Sequence, residues 1–169
     1  FVFVGAKVPT EYLGAIGPAP VLDFVAHRTE LAALYAAADV FMGASREDTF
    51  GQTYPGAMSS GLPVTALAAG GITDILISGV TGMLVNPSYP AGGLANALSE
   101  FCSCPVARRQ QTGHAARTIA ASRFGAMSTL RGWAESLDKS GPATRFGYTP
   151  VVNALDERPL AKAPPEMFF

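Results

Sequence analysis

The chain has 169 residues, 49 % of them apolar and 15 % charged, with a formal net charge of −1. That length suits one domain able to bury a core. The near-zero charge removes the electrostatic case for nucleic acid, and no apolar run approaches the length needed to span a bilayer.

Phe1–Val4 reads as a short apolar strand ending at Gly5. It has neither a basic leader nor a cleavage site, so it is not read as a signal peptide. The chain also lacks an initiator Met and opens inside a strand, which reads as a fragment. Pro9–Ile16 has room for a turn or two of helix before Gly17-Pro18, and Val21–Val25 reads as the second strand. Thr29 is placed as an N-cap with Glu30 in the first turn. Leu31, Leu34 and Tyr35 follow at helical spacing. Val40–Ala44 is the third strand. A helix over Gln52–Ser60 is ended by Gly61, and Leu62-Pro63 leads into a strand at Val64–Leu67. Thr73 is placed as the cap of a short helix through Ile77, and Met83–Val85 is a buried strand. Helices follow over Leu94–Phe101, Val106–Phe124 and Ala126–Leu137. Arg108, Arg109 and Arg117 read as a solvated face, His114 as a helix-surface residue, and Trp133 as core or an anchor for another domain.

Residues 1–138 therefore read as one α/β unit, a doubly wound parallel sheet with a Rossmann-like alternation of strands and helices. From Lys139 onward prolines interrupt every pattern, and 139–169 reads as a poorly ordered Pro-rich tail. Cys102 and Cys104 lack further ligands at zinc-like spacing, which leaves two free thiols in a reducing compartment.

One stretch carries the chemistry. Apolar runs end at Ala44 and Leu67, and each is followed by a turn of glycine and short polar residues, then a helix start. Such turns fall along the carboxyl edge of a parallel sheet, where ligands bind. A helix opening at Gly51 would aim unpaired amides and a positive dipole end at an anion. Gly51, Gly70 and Gly71 would let that anion approach the main chain. These features point to a phosphate-bearing ligand.

The run SREDTFGQTYPGAMSSGLPVTALAAGGITDILISGVTGMLVNPS (45–88) resembles the donor-binding region of the retaining GT4 glycosyltransferases, which have the GT-B fold. Their motifs P-S-x-x-E/D-x-F-G, E-A-M-A-x-G-x-P-V, G-G-x-x-E and G-x-x-G-x-L-V have counterparts here in the same order, the second of them broken at Gly56. Within that family AMSSGLPV followed by AGGITDI is similar to the sulfolipid synthases (sulfoquinovosyltransferases). The likeness runs from Phe1 to about Phe124.

The resemblance implies roles. Asp48 takes the first acidic position of the family's E-x7-E signature, where the carboxylate accepts hydroxyls of the donor sugar; otherwise it is a surface acid in a turn. The second acidic position, which holds the ribose, falls on Gly56, and glycine supplies no side chain. Either Gln52 or Tyr54 compensates, or donor binding is weakened. Phe50 fixes the alignment on Asp48. Gly51, Gln52 and Thr53 would offer amides to the sugar or diphosphate. Gly70 and Gly71 form the second glycine turn, and Asp74 stands at the acidic position of G-G-x-x-E. Ser45 can bond a phosphate oxygen or act as a cap. His27, Arg28 and Lys7 can reach a phosphate or face solvent.

The implied reaction transfers a sugar from a nucleotide diphosphate sugar to an acceptor with retention, the acceptor being diacylglycerol or another lipid. No metal or other cofactor is implied, since no DxD-like motif is present. The family's basic pair and acceptor domain would lie upstream, so this chain alone is expected to be inactive. Its setting would be cytoplasmic or organellar, with membrane contact through the missing domain. A non-catalytic nucleotide- or partner-binding module, disabled at Gly56, is the alternative; a nucleotide-sugar epimerase of GT-B type is a third reading that fits the motif order less well.

Overall fold

The computed structural model describes residues 1–5 and 19–139. Lys7, the helix expected at Pro9–Ile16 and the segment 140–169 lie outside the described residues. Five strands are present among them: β1 (Phe3–Val4), β2 (Val21–Leu22), β3 (Phe41–Gly43), β4 (Val64–Leu67) and β5 (Gly82–Val85). All pair in parallel. β1 and β2 form a two-stranded sheet, and β3-β4-β5 form a three-stranded one with Phe41 opposite Val64 and Val64 opposite Gly82. The expected single sheet is thus two sheets here. The second strand stops early, because Asp23 and Phe24 are exposed and leave the ladder.

The central strand explains the architecture. All four residues of β4 are buried, as expected of a strand covered on both faces. Val64 and Ala66 join a core with Tyr35, Tyr54, Met58, Ile72, Ala116 and Ala120. Leu67 joins a second cluster with Val85, Leu94 and Ala97. Helices α1 (Arg28–Ala36), α2 (Thr53–Ser59), α3 (Ile72–Ile75) and α5 (Val106–Phe124) belong to the first core, and α4 (Pro90–Ser103) to the second. Helices on both faces of a parallel sheet are the doubly wound arrangement. α6 (Ala126–Lys139) follows α5 after Gly125.

Several boundaries differ from expectation for local reasons. α1 begins at Arg28 with His27 at the N-cap position, so Thr29 lies inside the helix and caps nothing. The cap residue of α3 is Gly71; Thr73 sits within the helix and its hydroxyl donates back to the Gly70 carbonyl at 3.0 Å. α4 starts earlier than expected because Pro90 takes a first-turn position, where its missing N–H costs nothing. Arg109 is not solvated: it donates to the carbonyls of Phe101 and Cys104, both at 3.1 Å, and closes the end of α4. Arg108 does face solvent, paired with Glu100 at 2.7 Å. Trp133 is 68 % exposed and so lies outside the core. Both cysteines are free.

α5 packs closely on α2 through small residues. Gly113, Ala116 and Ala120 are its buried positions, and a Cβ at Gly113 would overlap the Gly61 carbonyl. No helix among the described residues is long and apolar enough to cross a membrane.

Candidate functional site

Strand β3 ends at Gly43, and the chain turns through Ser45–Gly51 before α2 begins. The turn is shaped by Asp48. Its Oδ1 accepts hydrogen bonds from the amides of Phe50 (3.2 Å) and Gly51 (2.6 Å), which is the local bonding that makes Asp favourable in turns. Gly51 takes a positive φ of 44°, and its carbonyl accepts from the Tyr54 amide at 3.0 Å. The two amides just before the helix thus already face a carboxylate, supplied by the chain itself.

The second glycine turn follows β4 and lies against the first. The Gly71 amide donates to the Asp48 carbonyl at 2.8 Å. A Cβ at Gly70 would sit 2.5 Å from that same oxygen, and one at Gly71 would overlap the Thr49 carbonyl. Gly70 also has φ 53°, a left-handed conformation that glycine adopts without a Cβ clash. The two glycines are required by the close approach of one loop to the other.

Arg46, Glu47, Asp48, Thr49 and Gly70 line an open cleft of about 490 Å³ at this edge. Asp48, Gly51, Gly70 and Gly71 are brought together, as the sequence led us to expect. Ser45, Gln52 and Thr53 are exposed on the same loop and helix start. Phe50 leaves this group: it is 45 % exposed and meets Phe124 edge-on, with ring centroids 5.6 Å apart. The Asp74 side chain is exposed, and its carbonyl accepts from Arg123 at 2.6 Å. His27 and Arg28 stand at the start of α1, five and six residues past the end of β2.

Gly56 is buried in α2, its amide donating to the Gln52 carbonyl at 3.2 Å and its carbonyl accepting from the Ser60 amide and hydroxyl. Of the two residues considered as substitutes for an acid there, Tyr54 is ruled out by burial, at 1 % exposure. Gln52 is exposed and keeps that possibility.

Burial raises the Tyr54 hydroxyl pKa above its ordinary value; the adjacent Ser45 opposes the shift and the Asp48 carboxylate adds to it. By hydrogen-bond geometry the Tyr54 oxygen has no partner among the described residues. Burial also raises Tyr35, whose hydroxyl donates to the Thr53 carbonyl at 3.3 Å. Among the described residues no three His, Cys, Asp or Glu side chains gather as metal ligands would.

Sequence reasoning missed Arg46 and Glu47 as cleft walls, though both lie inside the motif. It also missed Arg123 and Phe124. These reach the site from a helix end 49 residues beyond Asp74, a separation over which no local pattern signals contact.

Comparisons with known proteins bear on the family and the fold. The family model described as "Glycosyl transferases group 1" matches residues 1–103. A D-inositol 3-phosphate glycosyltransferase of Corynebacterium kroppenstedtii is 34 % identical over 151 residues, covering 85 % of this chain and 33 % of the relative. Sulfoquinovosyl transferase SQD2 of Arabidopsis thaliana is 51 % identical over 61 residues, covering 34 % of this chain and 12 % of the relative. The crystal structure of Anabaena Alr3699/HepE in complex with UDP and glucose superposes with a TM-score of 0.66 and 29 % identity, covering 76 % of this chain and 34 % of that one. The chain spans about a third of the length of the first curated relatives it matches.

Proposed function

The chain belongs to the group 1 glycosyl transferases, of GT4 type and GT-B fold, and from that premise we propose that it supplies the donor-binding half of a sugar-transferring enzyme. The reaction is transfer of a sugar from a nucleotide diphosphate sugar to an acceptor with retention at the anomeric carbon. The observation that carries this reading is the cleft beside Asp48, with the Gly70-Gly71 turn packed under it. The likeness to a protein crystallised with UDP and glucose supports a nucleotide-sugar ligand at this edge.

In this reading the cleft takes the donor. Asp48 Oδ1 is committed to the amides of Phe50 and Gly51, while its second oxygen and Glu47 can accept sugar hydroxyls. Gln52 and Thr53 offer main-chain amides at the helix start, and Ser45 a hydroxyl, to the diphosphate. Arg46 adds a positive charge on the cleft wall. Leaving-group charge in a metal-independent transfer must be met by cations or hydrogen-bond donors, and a single arginine is little for a diphosphate. The remaining cations would come from a companion acceptor domain, so the chain alone would bind donor without turning over. A lipid acceptor such as diacylglycerol is suggested by the likeness to the sulfoquinovosyl transferase. The enzyme would then work in the cytoplasm or an organelle, at a membrane surface reached through that companion domain.

Gly56 favours a second reading, a nucleotide-binding module without catalysis. Calorimetric titration of the chain with UDP, GDP and ADP, repeated on Gly56→Glu, separates the two. Binding by the unchanged chain supports a working donor site and identifies the base. Binding only after Gly56→Glu moves the assignment to the non-catalytic module. If neither protein binds a nucleotide, the donor-site reading of this chain fails.

A further inference from the structure

Helix α3 is a single turn, Ile72–Ile75, with the second glycine turn at its start. A helix this short has almost no stability of its own, so its position depends on what grips it. At its start the Gly71 amide donates to the Asp48 carbonyl at 2.8 Å, and the Thr73 hydroxyl donates to the Gly70 carbonyl at 3.0 Å. Ile72 and Ile75 fix one side by burial. At the far end, the last carbonyls of a helix have no partner within it. Arg123 Nη2 donates to one of them, the Asp74 carbonyl, at 2.6 Å. The bond is charge-assisted, and a cation at that end also suits the helix dipole.

Arg123 reaches this point because α5 ends where it does. Gly125 is buried and takes extended backbone at ψ 148°, which leaves Arg123 and Phe124 as the last two helical residues. Arg123 stands over the Phe124 ring at 5.1 Å, and that ring meets Phe50 edge-on at 5.6 Å. The Phe50 amide in turn donates to Asp48 Oδ1. One helix end therefore grips both turns, whose residues Asp48 and Gly70 line the cleft. We propose that Arg123 is a positioning residue: by fixing the end of α3 it holds the Gly70-Gly71 turn against the Asp48 turn in the place that admits a nucleoside diphosphate. It acts through α3 and touches no ligand. The bond is exposed, so in its absence water takes the Asp74 carbonyl and little stability is lost. What is lost is the single position of α3, and a site that must be ordered on binding binds more weakly. This inference rests on the donor-site reading above.

The test is UDP titration of the 169-residue chain as unchanged protein, Arg123→Met, Arg123→Lys and Arg117→Met, at a temperature where all four are folded. Arg123→Met keeps the apolar stem and removes the donor, and its UDP affinity should fall about three- to tenfold. Arg123→Lys returns a donor to the Asp74 carbonyl and should recover most of that loss. Arg117 lines a separate groove with Ser60, Gly61, Gln110 and His114. Arg117→Met therefore removes the same charge from the same helix and should bind as the unchanged chain does. Exchange of the Gly71 amide should quicken in Arg123→Met while the β4 amides keep their protection, a contrast that a general loss of stability would not give. The proposal is overturned if Arg123→Met binds UDP as tightly as the unchanged chain, if Arg123→Lys binds no better than Arg123→Met, or if Arg117→Met loses as much. Those results leave the donor-site reading standing, whereas failure of the unchanged chain to bind UDP removes that reading and this one together.

Discussion

The Gly71 amide donates to the Asp48 carbonyl at 2.8 Å, so the two glycine turns at the sheet edge are bonded to each other directly through their main chains. The acidic residue of one motif is thereby placed by the glycine pair of the next. Gly71→Ala would drive a Cβ into the Thr49 carbonyl, and backbone has no rotamer with which to yield. We expect a loss of about 1–3 kcal/mol, the range for overpacking. Gly132→Ala is the control: a Cβ there meets nothing within 4 Å, and in an exposed helix it should add roughly 0.5–1 kcal/mol. Urea unfolding of both variants checks the pair; equal effects would mean that the loop contact is unimportant.

Asp48 has two separable tasks. Asp48→Ala removes the acceptor of two amides and should cost about 1–2 kcal/mol. Asp48→Asn keeps a carbonyl oxygen in the same place, so most of that stability should remain. If the charge also serves the donor sugar, Asp48→Asn will bind UDP-sugar more weakly than the unchanged chain at nearly equal stability. Equal binding by the two would confine Asp48 to shaping the turn.

The end of α5 braces the site. Phe124 meets Phe50 edge-on, and Arg123 reaches the Asp74 carbonyl at 2.6 Å while standing over the Phe124 ring at 5.1 Å. Phe124→Ala should lose about 0.5–1.5 kcal/mol for the aromatic pair, beyond the area it uncovers. Amide exchange at Phe50 and Gly51 should quicken in this variant, while amides of β4 keep their protection. Unchanged exchange in the Phe50 loop would show that the loop is held by Asp48 alone.

Alkaline pH should weaken the fold through Tyr35 and Tyr54. Both are raised above the ordinary value of 10.0 by burial. Above that pH the unfolded chain gives up tyrosine protons that the folded chain still holds, so unfolding releases protons. The stabilisation is present in full below about pH 10 and is lost as pH rises through the folded values. Urea unfolding between pH 8 and pH 11 should show falling stability, with a shallower fall in Tyr54→Phe. An identical slope in that variant would assign the effect elsewhere.

Much of this was written in local pattern. The alternation of apolar runs with helical spacing gave the α/β class, because strand and helix periodicities depend only on near neighbours. Val106–Phe124 was found to the residue, bounded by Pro105 and Gly125. The ordered motifs from Ser45 to Pro87 placed Asp48, Gly51, Gly70 and Gly71 at one edge, since successive parallel strands put their following turns side by side. Helix starts were less legible: Thr29 and Thr73 have capping chemistry but lie inside their helices, which begin after His27 and Gly71.

Only the tertiary structure decided how the site is held. The sequence alone determined which residues have the chemistry for an anionic, hydroxyl-rich ligand and in what order they occur. It could not show that Asp48 spends one oxygen on its own loop, that Tyr54 is shut away from any ribose, or that Arg123 and Phe124 arrive from the far end of α5. Each of these follows from contacts between segments distant along the chain, where distance is set by how helices and strands fill the core. Residue type and spacing carry the chemistry of a group, and packing decides which neighbour it meets.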